Sequence, residues 1–314
     1  MMTMKIGFSE PLSRGWERMK KALFQPFDLN KWMRLGFTAW LAGLTDCSGG
    51  GGGNGGGGYH NADLDEFFRF PGIAWNWLQS HPLWFSLILT GVIMLFVVGI
   101  ILTWVSSRGK FMFLHNVVHN SHQVSKPWSD YRKEGNSLFF WRFFFGIIVV
   151  LLFTGFFIYC FIAAKAMYYG DSPNVVIFWK IAGMVLVFLA LIIMVGYISL
   201  FLNDFVVPVM YKHRLGINAA WLKFLPLFGK YFYLFIVYGL FILVLWTAAV
   251  VVILFIGLFT CCIGLLLLAI PYIGAVILLP VSYTFRALSI EFLAQFGEEF
   301  NVFPVSGELQ IQPE

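Results

Sequence analysis

The sequence predicts an all-α fold, a polytopic transmembrane helical bundle of six spans with amphipathic helices at its cytoplasmic elbows. Three observations predict it. The chain is 59% hydrophobic and only 12% charged, whereas a soluble domain carries roughly 25% charged residues to cover its surface. Several apolar runs reach the length of about 20 residues that a helix needs to cross about 30 Å of hydrocarbon. Lys and Arg are spread unevenly among the segments between those runs.

The first segment, 1–31, is amphipathic. Leu12, Trp16, Met19 and Leu23 recur at helical spacing while Arg14, Glu17, Arg18, Lys20 and Lys21 face elsewhere. That pattern suits a helix lying on an anionic inner leaflet, or a surface helix packed on the protein's own loops. The membrane domain follows at 32–288. Its first span, Trp32 to Thr45, is short, about 21 Å of helix at 1.5 Å per residue. A glycine-rich outer loop, 46–82, comes next and contains the tract DCSGGGGGNGGGGYH. Such a tract has no side chains with which to build a core and reads as a flexible tether. Five longer spans run from Leu83 to Ser107, Trp141 to Ala164, Val176 to Leu202, Tyr231 to Leu258 and Gly264 to Leu288. A cytoplasmic acidic tail, 289–314, closes the chain with Glu291, Glu298, Glu299, Glu308 and Glu314. Leu44-Thr45-Asp46-Cys47 has the outline of a lipoprotein cleavage box. The basic region ahead of it is too long for a signal peptide, and Asp46 stands where a small residue is needed.

Charge argues that the short first span crosses. If it does, all of the 21 Lys and Arg except Arg69, Lys165 and Lys180 lie on one side. If it does not, the two sides become nearly even. The positive-inside rule therefore favours six spans in the cell membrane with both termini cytoplasmic. In a soluble chain the net charge of +5 would raise the question of nucleic acid; here it reports orientation, and no nucleic-acid partner is expected.

Laid on itself at an offset of 93 residues, the chain aligns Trp128 with Trp221, Tyr131 with Phe224, Phe139 with Phe232 and Gly146 with Gly239. This is the pattern of a parallel helical-hairpin repeat. Each half carries an aromatic, basic elbow suited to a short amphipathic helix, with Trp128 and Trp221 as interface anchors. Pro127 suits the first turn of one elbow helix and Asn136 the cap of the span after it.

The run KPWSDYRKEGNSLF from Lys126 to Phe139, the TCCIG at Thr260, the segment from Ile270 to Pro280 and FLAQFGEEFNVF from Phe292 to Phe303 resemble a family of uncharacterised bacterial six-span membrane proteins. That family is related to the membrane domain of glycerophosphodiester phosphodiesterases. The resemblance implies the fold and no activity. No polar stretch of domain size remains here to hold the soluble barrel that carries diesterase chemistry.

Few residues are candidates for chemistry. His115, His119 and His122 stand at i, i+4 and i+7, the spacing of three imidazoles on one helix face, which fits a divalent metal; the bland alternative is a polar stripe beside phosphate headgroups. Asp204 and Arg286 lie at matching depth near the inner ends of two spans and are expected to form an ion pair. Cys47 is placed to bridge Cys261 or Cys262 on the outer face, against the alternative that all cysteines are small buried residues. No phosphate loop, nucleophile elbow or zinc-protease pattern occurs, and no acid lies in the middle of a span. The sequence thus points away from an enzyme, and no cofactor is expected. A non-catalytic scaffold or partner-binding component of the bacterial cell envelope, surrounded by membrane lipids and other envelope membrane proteins, is the leading reading. The alternatives are a permease or lipid-handling carrier, suggested by the repeat and by Pro271 and Pro280, and a membrane enzyme acting on headgroups through the histidines.

Overall fold

A computed structural model describes residues 6–46, 64–170, 173–260 and 263–303. In chain order the helices are α1 (Ser9–Phe24), α2 (Leu29–Gly43), α3 (Leu64–Ser80), α4 (Pro82–His119), α5 (Ser125–Asp130), α6 (Arg132–Tyr169) and α7 (Asn174–Phe201), followed by a π-helical turn (Leu202–Val206). Then come α8 (Val207–His213), α9 (Ile217–Lys230), α10 (Phe232–Phe259), α11 (Ile263–Ala269), α12 (Pro271–Ile277) and α13 (Leu279–Ala294). Among the described residues there is no strand. Two units are formed, one from 1–50, 103–142 and 195–314, the other from 51–102 and 143–194.

Among the described residues four helices are long and apolar enough to cross a membrane: α4, α6, α7 continued through α8, and α10. A fifth is gained if α12 and α13, bent by 63° at their junction, count as one. The short segment expected as a first span is α2, whose 15 residues fall below the length needed for a span, so length alone gives four or five candidates where six were expected. In the most apolar stretch of α4, α6 and α10 no residue is buried. An apolar surface of that size is stable in lipid, where a helix satisfies its own backbone. The chain is built as a multi-pass membrane protein.

In the smaller unit Phe68 of α3 is buried, with ring centroids 5.7 Å from Phe161 and 5.4 Å from Tyr168. Arg69 pairs with Asp65 at 2.9 Å, one helical turn away. Further along α6, Phe156 stacks on Phe188 of α7 at 5.7 Å.

The larger unit has an aromatic core. Phe205, Phe224, Phe235, Tyr238 and Phe292 are fully buried, with Phe205 stacked on Phe224 at 5.5 Å and Tyr238 on Phe292 at 4.6 Å. Such pairs contribute about 0.5–1.5 kcal/mol beyond their area. Helix α1 lies along α13: Gly15 gives it room, since a Cβ there would come 3.1 Å from the Leu288 nitrogen. Helix α1 buries Met19 and Leu23 while Trp16 is half exposed, and part of its basic face turns inward. Arg18 bonds the buried Glu291 carboxylate at 2.6 Å, and Arg14 approaches the same group at 3.8 Å. Glu291 is therefore part of the core rather than of an acidic contact surface, and α13 runs through residue 289 without a break. Glu308 and Glu314 lie outside the described residues, as does the glycine tract.

Both elbow helices form, as α5 and the longer α9. Pro127 is the third residue of α5, and Asn136 sits inside α6 instead of capping it. The helices that enter the elbows end alike. Asn120 and Arg214 take left-handed conformations with φ of 50° and 53°. Just beyond them Ser121 N–H reaches Asn116 C=O, and Leu215 N–H reaches Met210 C=O, the C-terminal motif that satisfies orphan carbonyls. These two ends lie 94 residues apart, one more than the offset of the self-alignment. The breaks that follow, at Tyr131 and Tyr231, are further apart than that offset allows.

Hydrogen bonds gather four distant segments at one end of this unit. Gly7 and Gln295 exchange bonds of 2.9 and 3.0 Å. Lys31 donates to Asn120 at 3.0 Å, Arg214 donates to the Asp130 carbonyl at 2.9 Å, and Lys223 pairs with Glu299 at 2.7 Å.

Helices α2 and α4 meet at Gly109, where a Cβ would come within 2.7 Å of the Leu41 carbonyl carbon and 2.8 Å of the Ala42 nitrogen. Gly91, in the same helix, has nothing within 4 Å. Gly109→Ala is expected to destabilise by about 1–3 kcal/mol through overpacking against backbone, whereas Gly91→Ala is expected to be neutral or to stabilise by up to about 1 kcal/mol. Thermal unfolding in detergent checks this; shifts of the same sign and size refute the contact.

Candidate functional site

The close passage at Gly109 sets Lys110 beside the end of α2, within the larger unit. The Lys110 side chain is 1% exposed. Burying a lone ammonium costs several kcal/mol, so the position is tenable only with full pairing. Its three donors find that: Asp46 Oδ1 at 3.0 Å, Asp46 Oδ2 at 2.8 Å, and the Asn203 side-chain oxygen. Arg142, 12% exposed, adds a second cation to the same carboxylate at 3.0 Å. It also donates to Thr45 at 2.7 Å and to Ser106 at 3.2 Å. Ser106 in turn donates to the Ala42 carbonyl at 2.8 Å, so the last turn of α2 is held by α4 and α6 together. Asp46 itself is 32% exposed.

The π-helical turn supplies the other half. Val207 N–H bonds the Leu202 carbonyl, a spacing of five residues. In that register the Asn203 carbonyl would take its bond from residue 208, which is proline and has no N–H. The carbonyl is therefore free, and Arg286 of α13 fills it with an Nη1 bond of 2.7 Å. Asp204 accepts from the Tyr238 hydroxyl at 3.0 Å. Three cations, Lys110, Arg142 and Arg286, thus stand with two carboxylates, Asp46 and Asp204. π-helical turns are frequent at functional sites, and charged groups inside apolar helices are expensive and functional by default.

Asp204 and Arg286, expected as a pair, do reach the same turn. Arg286 bonds the backbone one residue away, and no ion pair within 4 Å joins the two side chains among the described residues. Asp46 was placed in an outer loop, away from Lys110 and Arg142; the three are in contact. Lys110, Arg142, Asn203 and Asp46 were missed as a site because their partners lie far apart in the chain. Pro208, four residues after the polar Asn203-Asp204 pair in an apolar run, was the one local signal.

The histidines are arranged differently from the expected triad. His115 bonds the Tyr211 hydroxyl at 2.9 Å, and its ring lies 4.5 Å from that of His119. His122 follows the left-handed Asn120, beyond the end of α4, so it leaves the shared face. Among the described residues no group of three or more His, Cys, Asp or Glu gathers to hold a metal. Of the expected anchors, Trp128 meets Trp104 edge-on at 5.9 Å beside Arg108, and Trp221 lies against Trp141 at 5.9 Å. The Trp221 indole N–H is buried without a hydrogen-bond partner among the described residues. Cys160 is a free, half-buried thiol, and Cys47, Cys261 and Cys262 lie outside the described residues.

Two predictions follow from this geometry. Asp46→Asn leaves Lys110 buried without a carboxylate and is expected to cost about 3–5 kcal/mol, whereas Asp46→Asn with Lys110→Met recovers most of that loss. Unfolding in detergent is the measurement, and additive costs contradict the pairing. Arg286→Gln is expected to cost about 1.5–3 kcal/mol, the range for a hydrogen bond to a charged group. In a Pro208→Ala background, where an N–H is restored, the same change should cost less than half as much; an unchanged cost refutes the role of Pro208.

No curated protein and no solved structure matches the chain. A protein-family match does cover residues 9–298, and the family is one of unknown function. It carries no link to the glycerophosphodiester phosphodiesterases that the sequence resemblance implied. By that match, which spans nearly the whole helical body just described, the chain belongs to the family of unknown function DUF7544.

Proposed function

We propose that this protein is a non-catalytic scaffold or partner-binding component of a bacterial cell envelope, crossing the inner membrane six times with both termini cytoplasmic. The observation that carries the non-catalytic reading is the internal use of the buried charges. Lys110 spends every donor on Asp46 and Asn203, and Arg142 is committed to Asp46, Thr45 and Ser106. A cluster so paired is suited to fix helices against one another. The outward face of α9 supplies a contact surface, since Leu222 is 71% exposed and Leu225 is also exposed, with Phe224 buried behind them.

The topology is supported by parity. The N-terminal segment, both elbows and the tail are joined by hydrogen bonds at one end of the larger unit. If α4 crosses between Lys31 and Asn120, which touch, a second crossing lies between Lys31 and Pro82. Helix α2 covers the first part of that passage, from Lys31 beside Asn120 to Asp46 beside Lys110.

A second reading, a permease or lipid-handling carrier, is favoured by one observation: the cluster holds one more cation than carboxylate, which suits an anionic substrate group. Purification in mild detergent with quantitative mass spectrometry tests the two. A scaffold should recover a membrane protein at fixed stoichiometry, lost in Leu222→Glu with Leu225→Glu while the melting temperature is kept. A monodisperse protein without any such partner, releasing anions from loaded vesicles on reconstitution, would overturn the scaffold in favour of the carrier.

A further inference from the structure

From the groove beside α1 we infer that the protein holds an anionic phospholipid as a specific ligand, with one acyl chain in the groove and the headgroup on α1. The inference rests on the reading of the chain as an integral membrane protein. The cavity has a volume of about 190 Å³ and lies between α1, α10 and α13, lined by Leu12, Trp16, Leu245, Ala249, Val281 and Thr284 among others. Thr284 donates its hydroxyl to the Pro280 carbonyl at 2.7 Å, so the wall it presents is effectively apolar. Dry apolar cavities take apolar groups.

The surroundings single out a lipid. Leu245 and Ala249 of α10 wall the groove, and Leu240, Leu243, Val244 and Trp246 of the same helix are exposed, an apolar surface of the kind that faces hydrocarbon. On α1, Lys20 stands one turn beyond Trp16 and two beyond Leu12, at the edge of their apolar face. Lys20 and Lys21 are exposed and make no hydrogen bond or ion pair with the described residues, while Arg14 and Arg18 are occupied by Glu10 and Glu291. Trp16, 48% exposed, lines the groove and lies one turn from Lys20, the position an indole takes between acyl chain and headgroup. Apolar groove, indole and the Lys20 ammonium in that order along one helix match chain, glycerol region and phosphate of a single molecule, with Lys21 adding positive charge nearby.

The purified full chain, incubated with equal amounts of phosphatidylglycerol and phosphatidylcholine of identical chains, tests this by native mass spectrometry. The wild type should retain phosphatidylglycerol preferentially, by about fivefold for each lysine engaged. Lys20→Ser with Lys21→Ser should abolish the preference and leave phosphatidylcholine retention unchanged. Ala249→Trp, which fills the groove, should lower retention of both lipids. Equal retention of the two lipids by the wild type, or full retention by Ala249→Trp, overturns the proposal. If Ala249→Trp fails to fold, phosphatidylglycerol with brominated acyl chains decides on unaltered groove walls: quenching should include a component absent from Trp16→Phe, and identical quenching of the two refutes it. Recovery of the chain from membranes by a high-salt wash without detergent would instead sink the membrane-protein reading itself.

Discussion

The larger unit depends on the neutralisation of Lys110. An ammonium in that position is tolerable only because Asp46 and Asn203 take all three of its protons, and each of those partners is delivered by a different element. Asp46 arrives three residues past the end of α2, Asn203 on the π-helical turn. Arg142 then ties α6 to the same carboxylate. Removing a member leaves an unpaired buried charge, which is why such clusters fix one arrangement of helices even where an apolar core would be as stable.

In lipid this matters more than in water. Two apolar helices gain little from burying against each other when the surrounding solvent is equally apolar, so association rests on close packing and hydrogen bonds. The protein uses both. Gly15 and Gly109 let backbones approach, and the polar cluster supplies directional bonds between α2, α4, α6, α13 and the π-helical turn. The aromatic core around Phe205, Phe235 and Phe292 adds shape-specific dispersion contacts, each small and collectively large.

Much of the architecture was legible in the sequence because it rests on composition and period. The long apolar runs, the elbow helices and the amphipathic α1 all follow from local patterns that a helix reads residue by residue. The self-alignment comes within one residue of relating the helix ends at Asn120 and Arg214 but does not describe the unequal elbows that follow. The fate of α2 was hard to read because a segment of 15 residues sits between the lengths typical of a core helix and of a span, and its partners are remote. Arg18 and Glu291 illustrate the same limit: both looked like surface charges until α1 met α13.

By itself the sequence determined an all-helical membrane protein, the approximate positions of its apolar helices, and the absence of familiar catalytic motifs. Those properties are sums over neighbouring residues, and lipid enforces them without regard to topology. Only the tertiary structure decided that Asp46, Lys110, Arg142, Asn203, Asp204 and Arg286 form one cluster, and that the carbonyl freed by Pro208 belongs to Arg286. A charge carries no label of its partner in the chain. The choice is made where two backbones pass closely enough for a side chain to reach, and at Gly109 that distance is set by the absence of a single Cβ.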